Sequence, residues 1–439
     1  MKRYWLLLAA ALLVTALSGG LIGLADQDED EPVIRILGTV ALSGVAGNIG
    51  PGYDRAMRLA VEEINKMGIE GFSRIEYKVI DTETDPAKFR QKLLREIQTW
   101  HPDVAGGAAL ETTIRVPCEL APRYKLLCFV GGHLSMTKYL PPGEVPLSPW
   151  VVYYGYSDFF AGQFAGQFFE EMGCKKVALL AGDYDWGYSN GIGLKYYWET
   201  HGQPFEISPV IYVPLDKTDY STEIQLIKQE KPDAIFIPYT GAGWMSAATQ
   251  LKDAGAAPRI ILYGTTYSNM GGAKVTGAYG AEGIYTLADH DPTTDAWREY
   301  VRRWKEAYGA QSYPDTYSNN YYQLIYWIKA LFERVYRENP EAARAKDPEV
   351  ILEYTHEVSY QNVCISPMGP MGPDGENLGA KGAIVQFVPG ASDLDPTFPL
   401  HPVLVRTFLT PELTSREVLD IIAGYEKLEP GVEYPAAGG

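Results

Sequence analysis

The sequence predicts an α/β protein built from mostly parallel sheets covered by helices on both faces. Three observations carry this. Apolar stretches of strand length alternate with amphipathic helical stretches through most of the 439 residues. Glycine-rich loops stand between strand and helix. The rhythm breaks at a proline-rich passage, residues 141–149, and then restarts, which predicts two lobes.

The first unit organises the rest. Residues 35–42 read as a buried strand, with no charge after Arg35. Ser43 to Pro51 form a loop in which Gly44, Gly47 and Gly50 free the backbone from Cβ clashes. From Gly52 a helix follows, because Ala56, Leu59, Ala60 and Ile64 recur at helical spacing. In open α/β sheets ligands bind beyond the carboxyl ends of the strands. Ser43 and Asn48 are therefore binding candidates. A nucleotide is disfavoured: GNIGPG lacks both the dinucleotide spacing and the P-loop Lys-Ser/Thr pair.

Further strands are expected at residues 75–80, 103–107, 126–130 and 150–154, with helices at 86–100 and 110–124 between them. Ser157-Asp158 starts a helix as N-cap, running to about Met172. The second block carries strands at 176–181, 207–213, 233–239, 259–263 and 283–286, with a loop at 183–187 and helices at 189–200, 221–229 and 244–254. A helical block follows, at 294–308, 317–338 and 348–358. Two antiparallel strands, 383–388 and 403–409, a last helix at 414–424, and a tail at 425–439 complete the chain. The aromatic face of residues 317–338 reads as core.

Met1-Lys2-Arg3, an apolar run from Tyr4 to Leu17 and a small-residue end at Ala25 have the form of a secretory leader, residues 1–25. A soluble, periplasmic mature chain is expected from near Asp26. Its loss of Lys2 and Arg3 takes the formal charge from −17 to −19. That acidity excludes nucleic acid and anionic membrane surfaces as partners. Four cysteines are too few for a disulfide scaffold. Cys118 and Cys128 could link in an oxidising compartment or remain buried thiols.

Leu42-Ser43-Gly44, Gly50 and Glu63-Ile64-Asn65 resemble the opening of the branched-chain amino acid-binding family. These are the type I periplasmic solute-binding proteins that serve ABC importers. The likeness continues in order over roughly residues 33–410, including an Asp-x-x-Trp-Gly loop ending at Gly187. It implies two interleaved Rossmann-like lobes joined by a three-strand hinge, with crossings near 150–156, 284–292 and 360–385. Lobe 1 would comprise 33–152 and 290–362, lobe 2 would comprise 155–286 and 380–410, and 411–439 a terminal helix and tail. The implied partners are a small-molecule ligand and an inner-membrane ABC permease. No cofactor and no metal are implied.

Carried over by motif position, the ligand contacts fall at Glu111 or Thr112 after the third strand and at Gly131, Gly132, His133 and Ser135 after the fourth. Trp186, Tyr239, Thr240 and Thr266 would serve from the second lobe. Amino-acid binders of this family place an acidic residue in the last loop, where this chain has Thr265-Thr266-Tyr267. An ammonium unpaired in a closed cleft costs several kcal/mol. Glu111 or Asp158 could supply the charge. Amino acids, amides and aromatic acids remain open as ligands.

Catalysis finds little support. The histidines (His101, His133, His201, His290, His356 and His401) show no metal spacing, and there is no G-x-S-x-G elbow. Asp183/Asp185 and Asp289/Asp291 are expected on solvated acidic loops. The alternatives to a transport component are a sensor of the same fold reporting to a receptor and, less favoured, a secreted hydrolase.

Overall fold

The computed structural model describes residues 31–438 except 48, 110, 132–146, 240–241, 265–282, 315–316, 391–399 and 411–412. Two sheets organise them. The first has the strand order β2-β1-β3-β4-β5, built from β1 (Val33–Val40), β2 (Arg74–Asp81), β3 (Val104–Ala108), β4 (Leu127–Val130) and β5 (Val151–Tyr153). Every pairing in it is parallel.

One face of this sheet packs on α1 (Gly50–Met67), α8 (Asp295–Tyr308) and α9 (Ser318–Glu338). The other packs on α2 (Pro86–Thr99) and α3 (Glu111–Tyr124). Alternation along β1 sends Ile34 and Ile36 to the first core and Leu37 to the second. The aromatic face expected of α9 is core, with Tyr321, Trp327 and Phe332 fully buried.

The second sheet has the order β12-β11-β10-β9-β8-β6-β7. Its parallel part comprises β6 (Lys176–Gly182), β7 (Glu206–Val213), β8 (Ala234–Ile237), β9 (Ile260–Tyr263) and β10 (Ile284–Ala288). The order 7-6-8-9-10 repeats the 2-1-3-4-5 order of the first sheet, so the lobes share one doubly wound plan. β11 (Lys381–Pro389) and β12 (Leu400–Leu409) add an antiparallel edge. On one face lie α4 (Asp158–Glu171), α5 (Asp185–Thr200) and α12 (Ser415–Ala423). On the other lie α6 (Ser221–Glu230) and α7 (Ala242–Asp253). Helices α10 (Pro340–Ala345) and α11 (Pro348–Tyr354) join the first lobe's core through Ala343 and Ile351.

The chain passes between sheets three times: at 154–157 after β5, at 289–294 after β10, and over the long segment from α11 to β11. Asn377 ties the third passage to the first. Its Nδ2 donates to the carbonyls of Tyr154 (2.9 Å) and Pro367 (2.8 Å), while its Oδ1 accepts from the amides of Gly369 and Gly379 (both 3.1 Å).

Two local expectations change. The helix expected from residue 189 begins at Asp185, so Trp186 and Gly187 belong to its first turn rather than to a loop. Glycines let α4 and α5 pack closely: a Cβ on Gly193 would sit 2.0 Å from the Phe159 carbonyl oxygen of α4, and one on Gly162 2.1 Å from that of Asn190. The tail is docked rather than loose, with Tyr434 bridging to Ile207 and Leu428 fully buried. All four cysteines are buried free thiols. Burial pushes the Cys118 thiol up to about 12, with a hydrogen bond to Tyr153 acting against it.

Candidate functional site

The carboxyl ends of both sheets meet at the passages, and there the two lobes enclose a small cavity. From the first passage come Tyr154, Tyr156 and Asp158; from α5 come Trp186 and Asn190. The second passage gives Asp289, the first turn of α9 gives Asn320 beside Tyr317, and the third gives Ser366 and Lys381. Its free volume of ≈ 10 Å³ is about one water position.

Asp158 is placed by local sequence. Ser157 is extended and its hydroxyl accepts from the amide of Phe159 (3.2 Å), so Asp158 opens α4, where the helix dipole favours a carboxylate. It is buried, at 3% exposure. Trp186 is the second residue of α5, with its carbonyl accepting from Asn190 Nδ2 (2.8 Å). Its ring lies beside Tyr184, with centroids 6.3 Å apart and planes 24° from parallel. It also covers Gly264, where a Cβ would come within 2.5 Å of the indole. Trp186 is therefore a buried wall of the cavity, at 8% exposure.

Asp289 is the residue that sequence reasoning misplaced. Instead of a solvated face it occupies a buried position at the second passage, 7% exposed. Its carboxylate accepts from Asn319 Nδ2 (3.0 Å) and from Asn320 Nδ2, and meets His290 Nδ1 at 3.3 Å. Burial pushes its pKa up, but the contacts to His290, Asn319 and Asn320 more than offset that, holding it below the ordinary carboxylate value. Its partners lie thirty residues along the chain, and the run Asp289-His290-Asp291-Pro292 by itself looks like an acidic turn.

Tyr317 adds strain to the wall, a bulky residue held at φ +62° ahead of α9. Burial raises the phenols of Tyr154, Tyr156 and Tyr317 well above their ordinary value, so they stay neutral donors. Across the cleft, burial raises the Asp185 carboxyl while the charge of Arg115 on α3 opposes it, which puts groups of the two lobes within electrostatic reach.

Of the residues expected at the site, the structure brings Asp158 and Trp186 together. Ser43 is not at the cavity: its hydroxyl donates to Asp81 (2.6 Å), tying its loop to the end of β2. Tyr239 is also elsewhere, fully buried in the outer core with its hydroxyl donating to the Pro214 carbonyl (2.7 Å). Glu111 and Thr112 open α3, with side chains outside the described part. Asn48, Gly132, His133, Ser135, Thr240 and Thr266 lie outside the described residues. Tyr154, Tyr156, Asp289, Tyr317 and Lys381 were missed, because a cavity at chain crossings is set by tertiary placement rather than by a local motif. Among the described residues no cluster of His, Cys, Asp or Glu could hold a metal, and no helix is long and apolar enough to cross a membrane.

A sequence profile described as periplasmic binding protein matches residues 33–386. The chain belongs to the periplasmic binding protein family. No curated protein matches this family member in sequence. Among solved structures, an ABC transporter substrate-binding protein from Sphaerobacter thermophilus is 17% identical, with a TM-score of 0.72 over 86% of this chain and 98% of that one. A solute-binding protein of an R. palustris ABC transporter, solved with benzoate, is 15% identical with a TM-score of 0.69, covering 87% and 99%. The branched-chain amino acid transporter substrate-binding protein LivJ of Streptococcus pneumoniae, solved with isoleucine, is 15% identical with a TM-score of 0.67, covering 85% and 99%. At these identities the likeness establishes the type I periplasmic-binding-protein fold, with its two mostly parallel sheets.

Proposed function

We propose that this binding protein is the extracytoplasmic component of an ABC importer, exported by a leader over residues 1–25. It closes on a small ligand of the amino-acid or amide class and hands it, chemically unchanged, to an inner-membrane permease. The observation that carries this reading is the cavity walled from both lobes at the passages, with a buried carboxylate and an aromatic lining. Asp158 supplies the charge for a ligand ammonium that the last loop does not. Trp186 and the neutral tyrosines give flat apolar cover. A bare aromatic acid, the class of the R. palustris ligand, fits less well: it would meet two carboxylates, with Lys381 the one cation among the described lining residues.

A cavity of one water position admits no organic ligand, so binding requires the lobes to part and close again. Contacts made by both lobes then favour the closed form by their differential affinity. The test is a thermal-shift screen of amino acids, amides and aromatic acids, followed by calorimetry and small-angle scattering. A ligand at a hundred times its Kd should stabilise the protein by about 2.7 kcal/mol and reduce its radius of gyration from that of the open form. Asp158→Asn should weaken an amino-acid ligand roughly ten- to a hundredfold. Consumption of the ligand on prolonged incubation, or preference for aromatic acids unaffected by Asp158→Asn, would contradict the reading.

A further inference from the structure

A second cavity, of ≈ 360 Å³, lies on the other side of the first passage. The first passage forms the partition, with Gly155 and Tyr156 lining both spaces. Tyr154 and Asp158 line the cleft, whereas Tyr153 and Ser157 line this second space. The rest of its wall comes from Phe160 of α4, from Glu376 and Leu378 of the third passage, and from Leu413, Ser415 and Val418 at the start of α12. Its volume falls within the range of small-molecule pockets, about 300–1,000 Å³.

The chemistry of the wall selects an occupant. Phe160, Leu413 and Val418 give it an apolar body, and Leu378 leaves an apolar side chain 55% exposed. Glu376 is the one charged residue among the described lining residues and is itself 8% exposed. Its carboxylate accepts from the amides of Asp374 (2.9 Å) and Ser415 (3.4 Å), which leaves lone pairs for a further donor. Ser415 is 1% exposed, and its hydroxyl has no hydrogen-bond partner among the described residues. Buried hydroxyls are rarely left so, because the lost hydration goes uncompensated. Asn377 has nothing left to offer, its amide being spent on the passages.

We propose that this cavity is a second ligand site, built for a small apolar molecule whose head donates hydrogen bonds, an alcohol or an amine. Glu376 accepts from the head and the Ser415 hydroxyl completes the contact. Carboxylic acids are excluded by Glu376. The wall draws on both lobes and on two of the three passages, so an occupant's contacts depend on the hinge angle. The site is thereby linked to the cleft, each ligand changing the other's affinity by the same factor. None of this depends on the transport role.

The test uses 2-phenylethylamine, 2-phenylethanol and phenylacetate, which share a ring and a two-carbon-or-shorter arm and differ in the head. Calorimetric titration of the full mature chain should show the amine and the alcohol binding at least tenfold more tightly than the acid. Ser415→Ala should weaken both about three- to tenfold without lowering the melting temperature. Val418→Trp, which fills the space, should abolish binding; if that variant does not fold, Ser415→Ala and a crystal structure with the amine decide alone. Density for the amine against Glu376 and Ser415 supports the site. Density in the cleft alone, acid binding as tight as amine binding, or an unchanged affinity in Ser415→Ala overturns it, and leaves the cleft reading untouched.

Discussion

Asp289→Ala tests whether the hinge is held by a buried carboxylate. In the wild type the carboxylate takes two amide donors, Asn319 Nδ2 and Asn320 Nδ2, and the imidazole of His290, itself 2% exposed. Asn319 Nδ2 keeps a contact to Cys364 Sγ at 3.3 Å when Asp289 is gone. Asn320 Nδ2 and His290 lose the partner described here. An unsatisfied buried donor costs about 1–3 kcal/mol, so two predict a loss of roughly 2–6 kcal/mol. Equilibrium urea denaturation at pH 7, followed by tryptophan fluorescence and by circular dichroism together, measures it. The pH dependence supplies a second signature. The folded pKa lies below the unfolded one, so the stabilisation is present in full above about 3.9 and is lost as pH falls through the folded value. Asp289→Asn should therefore lose less stability than the wild type on acidification below about pH 4. A loss under about 1 kcal/mol in Asp289→Ala, less than one such unsatisfied donor costs, or identical acid profiles for wild type and Asp289→Asn, would refute the reasoning.

Two further substitutions probe the frame. Gly193→Ala drives a methyl to within 2.0 Å of the Phe159 carbonyl oxygen and should destabilise the second lobe by about 2–3 kcal/mol in chemical denaturation; a neutral effect would mean that α4 and α5 do not cross as closely as described. Asn377→Ala removes four hydrogen bonds, one to the first passage and three within the third, and should cost about 2–4 kcal/mol, with faster amide exchange at Gly369 and Gly379 as its local signature.

The α/β plan was legible because strands buried on both faces read as uninterrupted apolar runs and helices as one-sided ones. The charge-free run from Ile36 to Val40 and the stripe of Ala56, Leu59, Ala60 and Ile64 are examples. Ser157-Asp158 gave a true helix start, since an N-cap is a local device. The start of α5 was hidden because Gly187 lowers helix propensity, and its close approach to the end of β6, where a Cβ would sit 2.0 Å from the Gly182 carbonyl oxygen, is tertiary. Asp289 was hidden for the same kind of reason: nothing near it in sequence announces Asn319 and Asn320. The cavity wall at the passages repeats the pattern, with single residues from segments far apart in the chain.

The central claim, that Trp186 is a wall of a ligand cleft between the lobes, is tested most directly by calorimetric titration of Trp186→Ala beside the wild type. The ring packs against Tyr184 and Gly264, so some stability should be lost, and the titration belongs at a temperature where circular dichroism shows the variant folded. Loss of the indole cover should weaken the ligand found by screening by about 1–3 kcal/mol, roughly ten- to a hundredfold or more. A folded variant that binds that ligand with wild-type affinity would contradict the account.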